Sequence, residues 1–287
     1  MVEHTKKGTL YVVATPIGNL EDITYRAVRV LREADLIACE DTRHTAKLLQ
    51  HYGIDKATVS YHEHNEARRA EELLAKLRLG LNVAQVSDAG MPGISDPGYR
   101  VIKLAIENGV AVVPVPGASA VIAALAGSGL PTEAFEFHGF LPARSGQRRS
   151  VLESFRNAQN TIIVYEAPHR AVETLQDIVA ILGEERPLVL ARELTKMHEE
   201  FLRGTAGELL RRVKSREIKG EITLLIGRAQ DHEMQPLPMK GAGERLREIM
   251  RDQDLDENAA LKVLAKEQGI SKSEAYRELQ RTRRKNL

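Results

Sequence analysis

The sequence predicts an α/β protein. Its parts are an N-terminal parallel sheet with flanking helices, a second α/β domain with a mixed sheet, and a small C-terminal helical module of helix-turn-helix type. Three observations predict this. Before residue 126, short apolar runs alternate five times with stretches of helical spacing, the rhythm of a parallel sheet with right-handed crossovers. After residue 142 the apolar runs have fewer helices between them, which suits a mixed sheet. Beyond residue 243, two helical patterns flank Gly269. The expected domains are 1–125, 126–230 and 243–287.

The run 9–14 (TLYVVA) is the first strand, bounded by Gly8 and by Thr15-Pro16. Residues 22–34 carry Ile23, Ala27, Val30, Leu31 and Ala34 on one helical face. The run 36–39 is the second strand, and the turn 40–45 leads into a helix ending near Tyr52. Residues 58–61 form a weaker third strand, and 62–66 open a charged helix that reaches Leu79. The run 82–86 is the fourth strand. It feeds a long, sharply turning connection, 87–98 (SDAGMPGISDPG), and then a helix over 99–107. Strand 110–115, the turn 116–119 and an alanine-rich helix to about Ala126 complete this half.

The turns 16–19, 40–44, 62–65, 87–98 and 116–119 all follow strands, so they gather along one sheet edge. Open parallel sheets bind ligands at that edge. Within 87–98, glycine permits backbone angles and close approaches that other residues avoid, and proline fixes the rest. Asp96 is placed to cap the next helix, with Pro97 at its first position. Asp88 lies just past the strand end, where a carboxylate accepts hydrogen bonds from a ligand. The alternative is a rigid surface loop whose aspartates only cap and turn.

Residues 127–142, with Phe135, Phe137 and Phe140, read as a domain joint. Strands follow at 160–166, 188–192, 200–203 and 221–226, with a helix running to Leu182 and a capping box at Thr205 and Glu208. Residues 230–243 read as a linker. Helix 257–268 stops at Gly269, and Ser271 with Glu274 caps a last helix carrying Ala275, Tyr276 and Leu279. The chain ends in Arg281, Arg283, Arg284 and Lys285. This end reads either as a nucleic-acid-binding module or as a helical hairpin with a solvated basic tip.

Composition narrows the classes. The net charge of +1 over 287 residues argues against a wholesale basic nucleic-acid binder and leaves room for a local basic patch. The single cysteine, Cys39, excludes an internal disulfide and a thiolate metal cluster; it lies in an apolar run and reads as a buried thiol in a reducing compartment. The polar start lacks a signal-peptide apolar region, and no run is long enough to span a bilayer. A soluble, cytoplasmic protein is expected. There is no P-loop lysine motif. Gly127-Ser128-Gly129 starts like a dinucleotide fingerprint, but Thr132 stands in place of its third glycine. Neither His62 and His64 nor His198 matches a zinc-protease helix, and no metal is expected.

Taken in order, the turns TPIGNLEDIT (15–24), CEDTRHT (39–45), SDAGMPGISDPG (87–98), PGASA (116–120) and YEAPHR (165–170) closely resemble the tetrapyrrole-methylase-like, or class III, S-adenosylmethionine methyltransferases. Within them, the set resembles the ribosomal RNA small subunit methyltransferase I family, whose members 2′-O-methylate a cytidine in the decoding region of 16S rRNA. The resemblance implies a two-domain fold, usually homodimeric, with the cofactor S-adenosyl-L-methionine in the cleft between domains. By motif position the donor meets Pro16, Ile17, Asp88, Met91, Ser119, Ala120, Tyr165 and Ala167, and the closing strand at Ile222 and Thr223. The family usually has threonine where this chain has Met91, which puts any hydroxyl contact there in doubt. The partner implied is 16S rRNA or the small ribosomal subunit, with Arg43, His44 and Lys47 placed to hold RNA phosphates.

The reaction so implied is in-line attack of a ribose 2′-oxygen on a sulfonium methyl. The leaving thioether is neutral, so only the hydroxyl needs help from a base or an electrostatic stabiliser. The strand-end turns offer Glu63, Glu166 and His169; each has a structural hydrogen bond as its competing role. Three other functions compete: methylation of a tetrapyrrole, a non-catalytic RNA-binding role in ribosome assembly, and methylation of a protein side chain as in diphthine synthases. The intact glycine and proline turns argue against loss of the donor site. The basic helical tail argues against the small-molecule and protein substrates.

Overall fold

The computed structural model of the protein describes residues 7–216, 218–229, 246, 249–250 and 256–267. Contacts group residues 1–229 as one compact unit and 230–287 as another.

The first unit holds two five-stranded sheets. The first contains β1 (Thr9–Val13), β2 (Leu36–Cys39), β3 (Thr58–Ser60), β4 (Val83–Val86) and β5 (Ala111–Val115), in the order β3-β2-β4-β1-β5. All its pairings are parallel, as the alternation predicts. The crossovers are α1 (Tyr25–Glu33), α2 (Thr42–His51), α3 (Glu66–Arg78) and α4 (Tyr99–Glu107). Two apolar clusters cover the sheet. One holds Val30, Leu31 and Ile37, the other Leu73, Leu77 and Val101. Parallel strands covered on both faces read as continuous apolar runs, which is why β4 was legible: all four of its residues are buried. Cys39 is fully buried, and burial pushes its thiol pKa up.

The second sheet contains β6 (Phe135–Phe140), β7 (Thr161–Glu166), β8 (Pro187–Arg192), β9 (Glu200–Thr205) and β10 (Ile222–Ile226), in the order β6-β7-β10-β8-β9. It is mixed, as expected: β6 and β7 run parallel and the other pairings are antiparallel. The helices α6 (Ser145–Ser154), α7 (Ala171–Leu182) and α8 (Ala206–Lys214) belong to this half. The Thr205–Glu208 capping box forms with both of its bonds. α5 (Ala120–Ser128) follows β5 in sequence yet packs against β8, β9 and β10. Its Val121, Ala124 and Leu125 join Ile17, Ile163, Val189 and Leu225 in one buried cluster that ties the two halves together.

One expectation about the second sheet needs correction, and one of its helices was not expected. The stretch read as a joint contains β6, an edge strand with a register shift between Phe137 and Phe140. Left-handed Gly139 (φ 63°) sits within that shift, so a glycine that looked like a break marks a bulge. The sequence reading also passed over α6. Beside buried Leu152 it has a polar anchor: fully buried Arg148 donates from Nε to Asp177 of α7 at 2.8 Å.

In the second unit, α9 (Glu257–Glu267) carries Ala260, Leu261, Leu264 and Ala265, which cluster with Leu246 and Ile249. The linker 230–243, Gly269, the Ser271–Glu274 box, the last helix and the basic end lie outside the described residues. No helix among the described residues is long and apolar enough to cross a membrane.

Candidate active site

The turn after β1 and the 87–98 loop are bonded to each other. Thr15 N–H donates to the Gly90 carbonyl at 2.9 Å, and Gly90 N–H returns a bond to Thr15 at 3.1 Å. The Thr15 hydroxyl donates to the Ser87 carbonyl at 2.9 Å. Gln85, buried on β4, donates to the Pro97 carbonyl at 3.2 Å and folds the far end of the loop back over the strand. The turn of the loop uses left-handed Gly93 (φ 82°) and Ser95 (φ 61°).

Asp96 does not cap α4. The helix starts at Tyr99, behind Gly98 and two residues after Pro97. Its free N–H groups are met from elsewhere: Glu66 Oε1 accepts from Gly98 N at 3.2 Å and from Arg100 N at 3.3 Å, and the Tyr61 hydroxyl accepts from Val101 N at 3.3 Å. A helix needs acceptors for its first N–H groups whatever their source. With α3 and the end of β3 supplying them, Asp96 turns to a cavity.

That cavity has a volume of about 360 Å³. Ile17 comes to it from the β1 turn, Met91 and Asp96 from the loop, and Ser119 and Ala120 from the start of α5. Tyr165 and Ala167 come from the end of β7, and Ile222 and Thr223 from β10. The antiparallel register sets Thr223 opposite Tyr165 and Ile222 opposite Glu166, so two distant motifs reach one wall. Every donor-site residue expected from the motifs is therefore here except Pro16 and Asp88. Those two line an adjoining cavity of about 550 Å³, together with His44, Lys47 and Lys196. Ile17, Ala89 and Glu221 line both. Arg43 lines neither. Its side chain is 88% exposed and forks onto Asp41, which it holds well below the usual carboxylate range.

Carboxylates converge where β2 and β4 end. Asp96 is pushed up to about 6, chiefly by burial and then by Glu40, with Asp88 adding to the rise and the Ser87 hydroxyl opposing it. Burial and then Asp88 also raise Glu40. Among the described residues no lysine or arginine forms an ion pair with Glu40, Asp88 or Asp96. Tyr165 is raised to about 12 by burial, then by Asp96 and Glu221. The site is thus apolar-walled, bounded by main-chain turns, and short of positive charge.

The three candidate bases are separated. Glu63 and His169 are exposed and line neither cavity. Glu166 borders the cavity of about 360 Å³ but is 2% exposed, and its carboxylate is engaged inward. It pairs with Arg170 at 2.6 Å and accepts from the Thr174 hydroxyl at 2.6 Å and from Ala167 N at 2.7 Å. Asp96, Phe140, Glu221 and Lys196 were missed as site residues by the sequence reading. The only signal was proximity: Asp96 lies in the central loop and Glu221 precedes Ile222.

An open parallel sheet joined to a mixed one, with strand-end turns of both enclosing a cavity, defines a class. The family model described as Tetrapyrrole (Corrin/Porphyrin) Methylases matches residues 9–210, so the chain is a methylase of that class. The ribosomal RNA small subunit methyltransferase I of Synechocystis sp. is 47% identical over 269 residues, 94% of this chain and 96% of that protein. That of Halalkalibacterium halodurans is 54% identical over 77% of this chain and 76% of its own length. The chain belongs to the ribosomal RNA small subunit methyltransferase I family. Among solved structures, uroporphyrin-III C-methyltransferase from Thermus thermophilus, complexed with S-adenyl homocysteine, is 20% identical with a TM-score of 0.54, covering 77% of this chain and 97% of that one; it shares the fold.

Proposed function

We propose that this methyltransferase transfers the methyl group of S-adenosylmethionine to the ribose 2′-oxygen of a cytidine in the decoding region of 16S rRNA. The observation that carries the reading is the donor-side cavity, where turns from both sheets meet Asp96, a carboxylate that no lysine or arginine pairs with among the described residues. S-adenosylmethionine brings a sulfonium and an ammonium, so its charge suits Asp96, whose neighbours Glu40 and Asp88 add to the negative field there. Its size suits a pocket of some hundreds of Å³. Ile17, Met91, Tyr165 and Ile222 would flank its apolar parts, and Ser119, Thr223 and Asp96 its polar ones. When bound, the donor supplies an electrophilic methyl with a neutral leaving group. The residues of the chain hold the two reactants in line, exclude water and stabilise positive charge. Positioning of this kind supplies several kcal/mol of a barrier by itself. The reading has the protein act in the cytoplasm, as a homodimer, on 16S rRNA or the small subunit.

The test is tritium transfer from labelled S-adenosylmethionine to small ribosomal subunits, naked 16S rRNA and a tetrapyrrole precursor. Label at one cytidine that resists alkaline cleavage supports ribose methylation. Label in the tetrapyrrole alone, or none in RNA despite donor binding, overturns it.

A further inference from the structure

Among the described residues, Glu221 is the one ionisable side chain that lines both cavities. Asp96 lines only the cavity of about 360 Å³, and Asp88 only that of about 550 Å³. The main chain beneath Glu221 is fixed. Glu193 N–H donates to the Glu221 carbonyl at 3.0 Å, and Glu221 N–H donates to Glu193 Oε1 at 3.1 Å. Glu193 is itself left-handed (φ 50°), and a Cβ on left-handed Gly220 (φ 85°) would lie 2.3 Å from its side chain. One residue after Glu221, β10 begins, with all five of its residues buried. Backbone strain persists where surrounding bonds over-determine it, and it gathers at functional sites.

The side chain is held by one contact. Lys196 Nζ donates to Glu221 Oε2 at 3.0 Å and to Glu193 Oε1 at 2.9 Å. Lys196 is fixed in turn against the β1 turn, where a Cβ on Gly18 would lie 2.4 Å from its Cγ. Glu221 Oε1 makes no hydrogen bond among the described residues, and the side chain is 77% exposed. So exposed a pair adds little to stability, and Glu193 keeps Lys196 paired without it. The fold does not depend on this carboxylate.

We infer that Glu221 is the general base of the methyl transfer, taking the proton from the acceptor hydroxyl as its oxygen attacks the donor's methyl. The inference rests on the proposed RNA methyltransferase activity and adds a catalytic residue to it. The new O–CH3 bond forms as the S–CH3 bond breaks; the electron pair of the broken bond stays on sulfur, which leaves as a neutral thioether. The hydroxyl proton goes to Glu221 Oε1 and from there to water, which the exposure of the side chain permits. Lys196 holds the carboxylate on the wall shared by the two cavities and is a positioning residue.

The experiment measures methyl transfer to small ribosomal subunits, donor affinity and melting for the unaltered chain, Glu221→Gln and Glu221→Asp. Glu221→Gln should melt within about 2 °C of the unaltered chain. It should bind the donor within about threefold, because Asp96 remains, yet lose about 100-fold or more in kcat. Glu221→Asp, a carboxylate on a shorter arm, should recover about tenfold or more of that loss. From about pH 7 to 9 the residual rate of Glu221→Gln should climb about tenfold per unit, as hydroxide takes the proton instead, while that of the unaltered chain stays flat. The titratable groups beside Glu221 keep their charge over that range. Burial raises Tyr165 to about 12, the bond from Lys196 lowers Glu193, and at Lys196 the opposing effect of burial is outweighed by Glu193 and Glu221, so its pKa is raised. A smaller loss of kcat in Glu221→Gln, a pH profile parallel to that of the unaltered chain, or a loss carried by donor affinity alone overturns the inference. If the unaltered chain transfers no methyl to RNA, the proposed activity falls and this assignment with it. An active unaltered chain with an equally active Glu221→Gln removes the assignment alone.

Discussion

Replacing Glu166 decides between the two roles open to the best-placed of the sequence-derived bases. Its carboxylate is 2% exposed and meets Arg170, the Thr174 hydroxyl and Ala167 N at 2.6, 2.6 and 2.7 Å. Removing one member of a buried ion pair costs about 3–5 kcal/mol, because the partner charge is left uncompensated. The Arg170 side chain is 15% exposed and regains some water, which places Glu166→Ala toward the lower end of that range. Thr174 is fully buried and loses its acceptor outright, which adds about 1 kcal/mol or more. A total near 4 kcal/mol lowers Tm by about 10 °C in a unit of this size. Glu166→Gln keeps the shape and one acceptor oxygen, so a drop of a few degrees is expected, with kcat within about tenfold of the unaltered enzyme. A general base contributes about 10²- to 10⁴-fold. The assay pairs thermal melting with methyl-transfer kinetics on small subunits. A Glu166→Gln enzyme that melts normally and has lost more than about 100-fold in kcat would refute the structural role.

Asp96→Asn tests the carboxylate cluster. A carboxyl raised to about 6 in the folded state binds more protons there than when unfolded. Its ionisation thus opposes folding, and stability falls as pH rises from about 4 toward 6; the asparagine variant should melt higher than the unaltered protein above pH 6 and equally below pH 4. A cationic donor favours ionised Asp96, so donor affinity should increase from pH 5 to 7 in the unaltered chain and flatten in Asp96→Asn by calorimetry; an identical pH profile in both excludes contact. Gly98→Ala places a Cβ 2.5 Å from Gln85 Nε2 and 2.9 Å from Gly93 N, at a φ of 155°. It should lose about 1–3 kcal/mol of stability and weaken donor binding through the loop, read by melting and titration; unchanged donor affinity would uncouple the loop from the cavity. Arg43→Ala should weaken 16S rRNA binding while donor affinity stays within about twofold, and a large loss of donor binding would contradict that assignment.

The parallel sheet was legible because buried strands announce themselves. β1 and β4 are short apolar runs closed by proline, serine or glycine, and their letters have no competing use. β6 failed on the same logic: as an edge strand bearing a left-handed glycine, it lacks both the continuous apolar run and an uninterrupted ladder. α6 failed because Arg148, fully buried by pairing with Asp177, reads as a surface residue in a sequence. The gathering of the turn residues around one cavity was legible through the turns, whose order along the chain is distinctive. The role of Asp96 was not. An aspartate three residues before a helix looks the same whether or not it caps, and here the competing acceptor, Glu66, lies 32 residues from Gly98. Local spacing carries no trace of that contact.

The same contact explains how one loop serves the whole site. The restraints on 87–98 come from Thr15 just beyond β1, from Gln85 in β4 and from Glu66 in α3. None of these draws on the Asp96 carboxylate or the Met91 side chain, and both residues line the cavity. The loop is therefore held in place before any ligand arrives, which removes part of the ordering cost of binding. Its Gly90 carbonyl and N–H stay committed to Thr15, while Ala89, one residue earlier, borders both cavities. The stretch of the loop bonded to Thr15 thus borders the cavity that the proposed function gives to the donor, where tight positioning matters most.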